Sequence, residues 1–172
     1  MLFLTFCTSA PKAPVRPDMI QRESLLPNGT YHHSISLYIL GTKKDFSFKG
    51  IVSLSDETIK VMGLSMFGTT EFRLEENRKT GHVNIEFFRD ALKKAEPKIR
   101  EYYKTIRIVL TTGKDGGNAD ILKRHESGFP EEMKAESARY TLKDYDQNLI
   151  PKVMKVDHPE FRVSVKVTEY EI

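Results

Sequence analysis

Two stretches of alternating residues decide the fold of this chain. Residues 31–39 read Y-H-H-S-I-S-L-Y-I, and residues 46–54 read F-S-F-K-G-I-V-S-L. Alternation of apolar and polar side chains with a period of two is typical of strands with one buried face. The residues G-T-K-K at 41–44 predict a turn that joins the two strands as a hairpin. The buried face is expected to carry Tyr31, His33, Ile35, Leu37 and Ile39 from the first strand, and Phe46, Phe48, Gly50, Val52 and Leu54 from the second.

The same alternation continues on both sides of one helical segment. Strands predicted at residues 58–62, 69–74 and 83–87 complete a five-stranded meander, and strand signals return at 119–124, 136–142, 149–156 and 161–167. Between residues 88 and 110 the spacing becomes helical, with Pro97 in a first turn, where a missing amide costs little. Simple packing of this helix on the sheet would be enough to explain an apolar stripe along one side of it. That stripe consists of Ile99, Tyr102, Tyr103 and Ile106, at positions i, i+3, i+4 and i+7.

This order of elements predicts a mainly β protein with some α structure. A single sheet would curl around a helical plug or lid, with apolar residues lining the inside. The 172 residues suit one domain. The net charge of +3, from 27 basic and 24 acidic residues that alternate along most segments, gives no reason to expect nucleic acid as a partner. No stretch approaches the roughly 18 consecutive apolar residues of a membrane-spanning helix.

The only cysteine follows an apolar run at the N-terminus. Residues 1–7 read M-L-F-L-T-F-C, and a proline-rich stretch continues to Pro17. Leu4, three residues before Cys7, and the small polar residues after it resemble a bacterial lipoprotein signal, which implies cleavage before Cys7 and acylation of its side chain. The other interpretation is a disordered N-terminus in which the cysteine is incidental. We therefore expect a signal remnant at 1–7, a linker and N-terminal segment at 8–29, and one domain at 30–172.

No catalytic or metal-binding motif is assembled in the sequence. His32 and His33 are adjacent strand residues and point to opposite faces, so they cannot bind one metal ion together. The acidic residues between Asp115 and Glu126 lack the spacing of a calcium loop. Phosphate-binding loops and nucleophile elbows are also absent. We predict that the protein is not an enzyme and that it uses no metal or cofactor.

Two stretches resemble the LolA/LolB superfamily of periplasmic lipoprotein carriers, and LolB in particular. Residues 63–74 read G-L-S-M-F-G-T-T-E-F-R-L, which is similar to the hydrophobic loop of LolB and the strand that follows it. The segment from Tyr140 through Ile150 and Pro151 to Phe161 and Tyr170 is similar to the C-terminal strands of that family. The resemblance implies an unclosed antiparallel β-barrel, or curved sheet, covered by a helical lid, with a cavity that holds the acyl chains of lipoproteins in transit.

The resemblance also implies a location, partners and contact residues. The protein would be lipid-anchored to the outer membrane, facing the periplasm, and would act as a chaperone in lipoprotein transport. Its expected partners are lipid or lipoprotein acyl chains, the outer membrane surface and a LolA-like periplasmic carrier. Leu64, Met66 and Phe67 would form a membrane-contacting loop, unless they form a turn folded onto the core. The lipid-binding cavity would be lined by Ile35, Leu37, Phe46, Phe48, Val52, Ile59, Val61, Phe72, Leu74, Ile99, Tyr103 and Ile106.

Two functions from different classes remain open at this point. The first is an envelope lipoprotein that binds acyl chains of lipoproteins or another lipid and passes them to or from the outer membrane. Related uncharacterised LolB-like lipoproteins make a different lipid or a glycolipid a conceivable cargo. The second is a structural or interaction lipoprotein with a filled core and no lipid cargo.

Overall fold

Ten strands form one antiparallel sheet in the computed structural model, which describes residues 22–172. Two helices, α1 (Asp90–Lys93) and α2 (Glu96–Thr111), separate the first five strands from the last five. The strands are β1 (Gly29–Ile39), β2 (Lys44–Leu54), β3 (Thr58–Leu64), β4 (Thr70–Asn77), β5 (Val83–Phe87), β6 (Asp120–Arg124), β7 (Pro130–Ala135), β8 (Ala138–Tyr145), β9 (Pro151–Asp157) and β10 (Phe161–Glu171).

The strand order leaves the sheet open between two edges. Along the sheet the order is β5-β4-β3-β2-β1-β10-β9-β8-β7-β6, so neighbours in space are neighbours in sequence except where β1 pairs with β10. The outermost strands, β5 and β6, are consecutive in sequence, and the helices connect them. The predicted curved, unclosed antiparallel sheet is confirmed.

One face of the sheet carries the core. In the β1–β2 register, Tyr31 lies opposite Val52 and Leu37 lies opposite Phe46, as the alternation predicted. On the other side of β1, Leu37 lies opposite Val163. This shared face continues across the sheet, and its residues pack with those of α2 in one hydrophobic core. We refer to it as the concave face.

Helix α2 lies across the concave face. Pro97 stands in its first turn, as predicted, and Tyr103, Val109 and Leu110 are its buried residues. The ring of Tyr102 packs edge-on against buried Phe161 of β10, with 4.6 Å between ring centroids. The preceding α1 has no buried residue. The helical cover is therefore one amphipathic helix, and its core contacts concentrate toward its C-terminal half.

The described N-terminal segment holds the end of α2. The amide of Leu25 donates to the carbonyl of Thr112 at 2.9 Å, and the amide of Lys114 donates to the carbonyl of Glu23 at 2.8 Å. Leu25 and Leu26 are 0% and 3% exposed, so both belong to the core. The packed body therefore begins before residue 30, where the alternation of strand residues had placed the start of the domain.

One strand was absent from the sequence prediction. β7 was not predicted, because residues 130–135 read P-E-E-M-K-A and carry three charges with a proline at the start. The predicted strand at 136–142 is shifted: Glu136 has a φ of 50° and lies in the turn between β7 and β8. The pairing of Ala135 with Ala138 closes this turn. Pairing with β8, and not side-chain alternation, makes residues 130–135 a strand.

Candidate functional site: the covered concave face

The predicted acyl-chain contacts lie mainly on the concave face beneath α2. Ile59 and Leu74 are 0% and 1% exposed, whereas Phe46 at the end of the face is 45% exposed. The face is therefore packed in this structure, with α2 closed over it. Of the remaining predicted residues, Ile35, Leu37, Val52 and Tyr103 are buried, and Phe48, Val61, Phe72, Ile99 and Ile106 are partly buried.

A strip without side chains crosses two strands of this face. Gly50 of β2 lies opposite Gly63 of β3, and Gly63 lies opposite Phe72 of β4. A Cβ placed on Gly63 would lie 2.1 Å from Cε1 of Phe72, and one on Gly50 would lie 2.8 Å from Cδ1 of Ile35. The two glycines thus make room that the Phe72 ring and the Ile35 methyl group fill. The sequence prediction placed Gly50 on the inward face of its strand but ended the next strand at residue 62, so the inward position of Gly63 was missed.

His33 lies at the β1 end of the same row. It is 4% exposed, its ring is stacked on Tyr31, and its Nε2 atom has no hydrogen-bond partner among the described residues. Burial, with a smaller contribution from neighbouring His32, lowers the pKa of His33 to about 4. The ring is therefore neutral at physiological pH. Its place in the core agrees with the alternation in β1.

A buried ion pair fastens α2 to the sheet. Glu76 of β4 is 1% exposed on the concave face. Its carboxylate accepts a hydrogen bond from the Tyr103 hydroxyl at 2.7 Å. Both carboxylate oxygens also accept from Nε of Arg107, each at 2.7 Å. Burial alone would raise the pKa of Glu76, but the hydrogen bonds from Arg107 and Tyr103 hold it below its ordinary value. We call these three residues the helix clamp.

Sequence reasoning missed two members of the helix clamp. Tyr103 belonged to the predicted helical stripe, but Glu76 was interpreted as a turn residue after the strand at 69–74, and Arg107 was assigned no role. The structure instead places Glu76 in β4 with its side chain buried. The available signal was the position of Glu76, which follows Phe72 and Leu74 with a spacing of two and therefore points inward. An acidic residue at an inward position predicts a buried partner, but the sequence does not identify the partner.

A pocket of about 270 Å³ lies beside the helix clamp. Arg100, Lys104 and Arg107 line it from one face of α2, at positions i, i+4 and i+7, and Val83 lines it from β5. Glu76 and Tyr103 also reach it. We call this cavity the basic pocket.

A larger polar pocket, of about 550 Å³, lies at the opposite half of the sheet. Its lining mixes both signs of charge and includes Lys123, Glu131, Glu132 and Lys143. Lys123 and Glu131 already form an ion pair there. Within residues 22–172, no group of three or more histidine, cysteine, aspartate or glutamate side chains is arranged to hold a metal ion.

The hairpin between β3 and β4 presents an exposed aromatic tip. Phe67 is 97% exposed and Met66 is 54% exposed, while Leu64 at the end of β3 is partly buried. The turn is ordered by hydrogen bonds from the Ser65 amide to the Thr69 carbonyl at 2.8 Å and from the Gly68 amide to the Ser65 carbonyl at 2.9 Å. The tip is therefore not folded onto the core.

Two further exposed aromatic residues lie at this end of the sheet. Phe46 is 45% exposed near the start of β2, and Phe88 is 51% exposed just after β5. The antiparallel registers place the start of β2 and the end of β5 at the same end as the β3–β4 tip. We call Phe46, Met66, Phe67 and Phe88 the exposed apolar end.

Two features bear on membrane attachment. Among the described residues, no helix has the length and apolar character needed to cross a membrane. The predicted lipidation site, Cys7, lies outside the described residues.

Comparisons with known proteins give a structural match but no sequence match. Neither a family model nor a curated protein matches the chain. The structure resembles that of a LolA superfamily protein, NE2245, from Nitrosomonas europaea, with a TM-score of 0.52 and 8% sequence identity over 84% of this chain and 86% of that chain. At this identity the likeness establishes the architecture alone: the chain has the fold of the LolA superfamily.

Proposed function

We propose that the protein is a lipid-anchored envelope protein that holds lipid on its concave face. The lipid would be the acyl chains of lipoproteins or another amphiphile, passed to or from the outer membrane on its periplasmic side. The observation that carries this proposal is the LolA-like sheet, whose broad apolar face is covered by a single helix, α2. The proposed activity is binding and transfer and involves no catalytic step.

Movement of α2 would give lipid access to this face. The C-terminal end of α2 is held by the backbone of residues 23–25, whereas the N-terminal end follows α1, which has no buried residue. Breaking the helix clamp would let the N-terminal half swing away from the sheet. Each methylene moved from water contributes about 0.8 kcal/mol, whether it enters a bilayer or this face. Transfer between the two would therefore be close to balance.

The exposed apolar end suits contact with a membrane. Phe67 stands almost fully in solvent at the tip of an ordered hairpin, with Phe46 and Phe88 at the same end of the sheet. Aromatic side chains of this kind gain free energy by entering the interfacial region of a bilayer. In this proposal the end contacts the outer membrane during transfer, and Cys7 carries the lipid anchor. A LolA-like carrier would deliver the cargo.

The competing proposal is a structural or interaction lipoprotein with a filled core. The complete burial of Ile59 and Leu74 favours it, because a packed face leaves no open space for cargo. The two proposals differ in whether α2 opens. Lipid binding therefore distinguishes them.

Two measurements test the proposal. Native mass spectrometry of the protein purified from its own host should detect bound lipid, and a fluorescent fatty acid should bind saturably. Phe48→Gln, on the concave face of β2, should weaken fatty acid binding roughly tenfold, because an aromatic contact of 1.5 kcal/mol or more is lost. Ser47→Gln, on the other face of the same strand, is the matched control. Absence of bound lipid together with absence of fatty acid binding would leave the filled-core alternative.

A further inference from the structure

The basic pocket concentrates positive charge on one face of α2. Three cationic side chains line it, those of Arg100, Lys104 and Arg107, against a single carboxylate, that of Glu76. Arg78 lies close enough to act on the charge of Glu76 as well. The lining residues alone therefore carry two more positive than negative charges, before Arg78 and the carboxylates that pair with Arg100 and Lys104, those of Glu96 and Glu136, are counted. Such a site favours an anion.

The cations retain capacity for an additional ligand. Arg107 uses Nε for Glu76, and its two Nη groups have no hydrogen-bond partner among the described residues. The partner of Lys104 is Glu136, at 3.1 Å, and both side chains are more than half exposed. Exposed ion pairs of this kind contribute only about 0–1 kcal/mol. A bound anion could therefore replace Glu136 at little cost.

Arg100 occupies the outer side of the pocket. It pairs with Glu96 of the same helix at 2.8 Å and donates from Nη1 to the Val83 carbonyl at 3.1 Å. The second bond holds the guanidinium at the β5 edge, where the sheet is open. Its Nε also donates to Glu96 at 2.8 Å, so one N–H on each Nη group remains for phosphate oxygens. Arginine can offer such paired donors, whereas lysine cannot.

The pocket adjoins the apolar interior. Tyr103 and Val83 line the pocket, and both also pack in or against the hydrophobic core. Val83 lies directly opposite Glu76 in the β4–β5 register. The volume of about 270 Å³ lies just below the roughly 300–1,000 Å³ of sites for whole small molecules, so it suits the headgroup of a lipid and not the whole molecule. A ligand that fits both surroundings has an anionic head and an apolar tail.

We propose that the basic pocket binds the phosphate group of an anionic lipid, whose acyl chains enter the concave face under α2. Arg100, Lys104 and Arg107 contact the phosphate oxygens, and the Tyr103 ring marks the boundary between headgroup and chains. The part of this inference that concerns binding of acyl chains rests on the proposed function, whereas the part that concerns contact with phosphate does not. The inferred ligand class is a phosphorylated glycerolipid.

The test measures binding of matched water-soluble ligands to the full chain by calorimetry. Dihexanoyl phosphatidic acid and dihexanoylglycerol have the same chains and differ in the phosphate group. Inorganic phosphate and glycerol 3-phosphate supply the headgroup chemistry without chains. We expect phosphatidic acid to bind about tenfold more tightly than dihexanoylglycerol, from one or two charge-assisted contacts. We also expect this advantage to shrink as salt is added.

Two double variants test whether the basic pocket is the phosphate site. Arg100→Gln with Lys104→Gln removes two pocket cations whose side chains are 42% and 71% exposed, so the fold should be retained. Lys155→Gln with Lys166→Gln removes the same charge from exposed positions on β9 and β10. The pocket variant should lose most of the preference for phosphatidic acid while its affinity for dihexanoylglycerol stays unchanged. The control variant should keep the preference.

The outcomes separate this inference from the proposed function. Equal affinity for the two dihexanoyl lipids, or an unchanged preference in the pocket variant, overturns the phosphate site and leaves chain binding standing. Binding of glycerol 3-phosphate that the pocket variant loses, with no binding of dihexanoylglycerol, supports the phosphate site and contradicts acyl-chain binding. Inorganic phosphate binding as tightly as phosphatidic acid would assign the pocket to free phosphate and overturn the lipid assignment.

Discussion

Arg107 of α2 donates from its Nε atom to both carboxylate oxygens of Glu76 on β4, at 2.7 Å each. Glu76 is almost completely buried, whereas the Arg107 side chain is 34% exposed. The strand neighbours of Glu76 on this face are Ile59 and Val83, both apolar. A buried carboxylate in such surroundings is stable only when paired, so the pair specifies where the helix lies on the sheet.

Replacing Glu76 should loosen α2. Glu76→Gln keeps an acceptor for Tyr103 but removes the charge that Arg107 contacts, and we expect the free energy of unfolding to fall by about 2 kcal/mol. Amide hydrogen exchange across residues 96–111 should accelerate. Glu75→Gln is the matched control, because it removes a carboxylate from the same strand that forms only an exposed ion pair with Lys60. Urea unfolding checks both, and equal losses would contradict the clamp.

Burial of the His33 ring should make stability depend on pH. An unfolded chain binds a proton at this histidine near pH 6.5, whereas the folded protein binds it only near pH 4, the lowered pKa of His33. Between these values the unfolded state binds more protons, so the free energy of unfolding falls as pH drops. From pH 7.5 to pH 5 the contribution is about 2 kcal/mol.

His33→Leu removes this titration from the core. The variant should therefore lose about 2 kcal/mol less than the wild type over the same pH interval. Replacing the exposed His82 with glutamine is the control, and this variant should lose as much unfolding free energy between pH 7.5 and pH 5 as the wild type does. Urea unfolding at the two pH values measures the difference. A wild-type pH dependence retained in His33→Leu would rule out His33 as its source.

The exposed tip should be dispensable for folding and needed for delivery. Because Phe67 is 97% exposed, Phe67→Glu should leave thermal unfolding unchanged. It should reduce flotation with lipid vesicles and slow transfer of a fluorescent acyl chain to them, since a carboxylate resists entry into the interface. Leu122→Glu, which alters a 49% exposed residue on edge strand β6, serves as control. Unchanged delivery by Phe67→Glu excludes the tip as a membrane contact.

The glycine strip should be intolerant of a methyl group. Gly63→Ala would place its Cβ against the Phe72 ring, and we expect a loss of about 1–3 kcal/mol as the ring is displaced. Adding Phe72→Ala should recover part of that loss, so the two changes would be non-additive. Gly41→Ala is the control, because a Cβ there meets nothing within 4 Å. Simple additivity in urea unfolding would show that the ring does not fill the strip.

Anchoring should depend on Cys7. If the side chain is acylated, Cys7→Ser should move the protein from the membrane fraction to the soluble periplasmic fraction of its host. Metabolic labelling with an alkynyl fatty acid should mark the wild type and not the variant. A wild type that takes up no label, with the same membrane fraction in both proteins, would remove lipidation from the proposal.

Much of the fold could be predicted because its signals are local. The alternation in residues 31–39 and 46–54 reports which side chains face the core, and the register of β1 with β2 agrees with it. Pro97 and the stripe through Tyr103 predicted the helix for the same reason, since helical period and first-turn chemistry are properties of neighbouring residues. Strand β7 could not be predicted this way because its three charges and its proline leave no clear alternation of apolar and polar side chains. Only its pairing with β8 makes the segment a strand.

The sequence by itself determined which residues alternate, where the helix begins and that an apolar turn separates β3 from β4. Only the tertiary structure decided that Glu76 meets Arg107, 31 residues away, and that Gly50 and Gly63 lie side by side. It also decided that the cations of α2 line a pocket at the open edge. The physical reason is that alternation fixes the direction of a side chain, whereas its partner depends on strand order and on where the helix crosses the sheet.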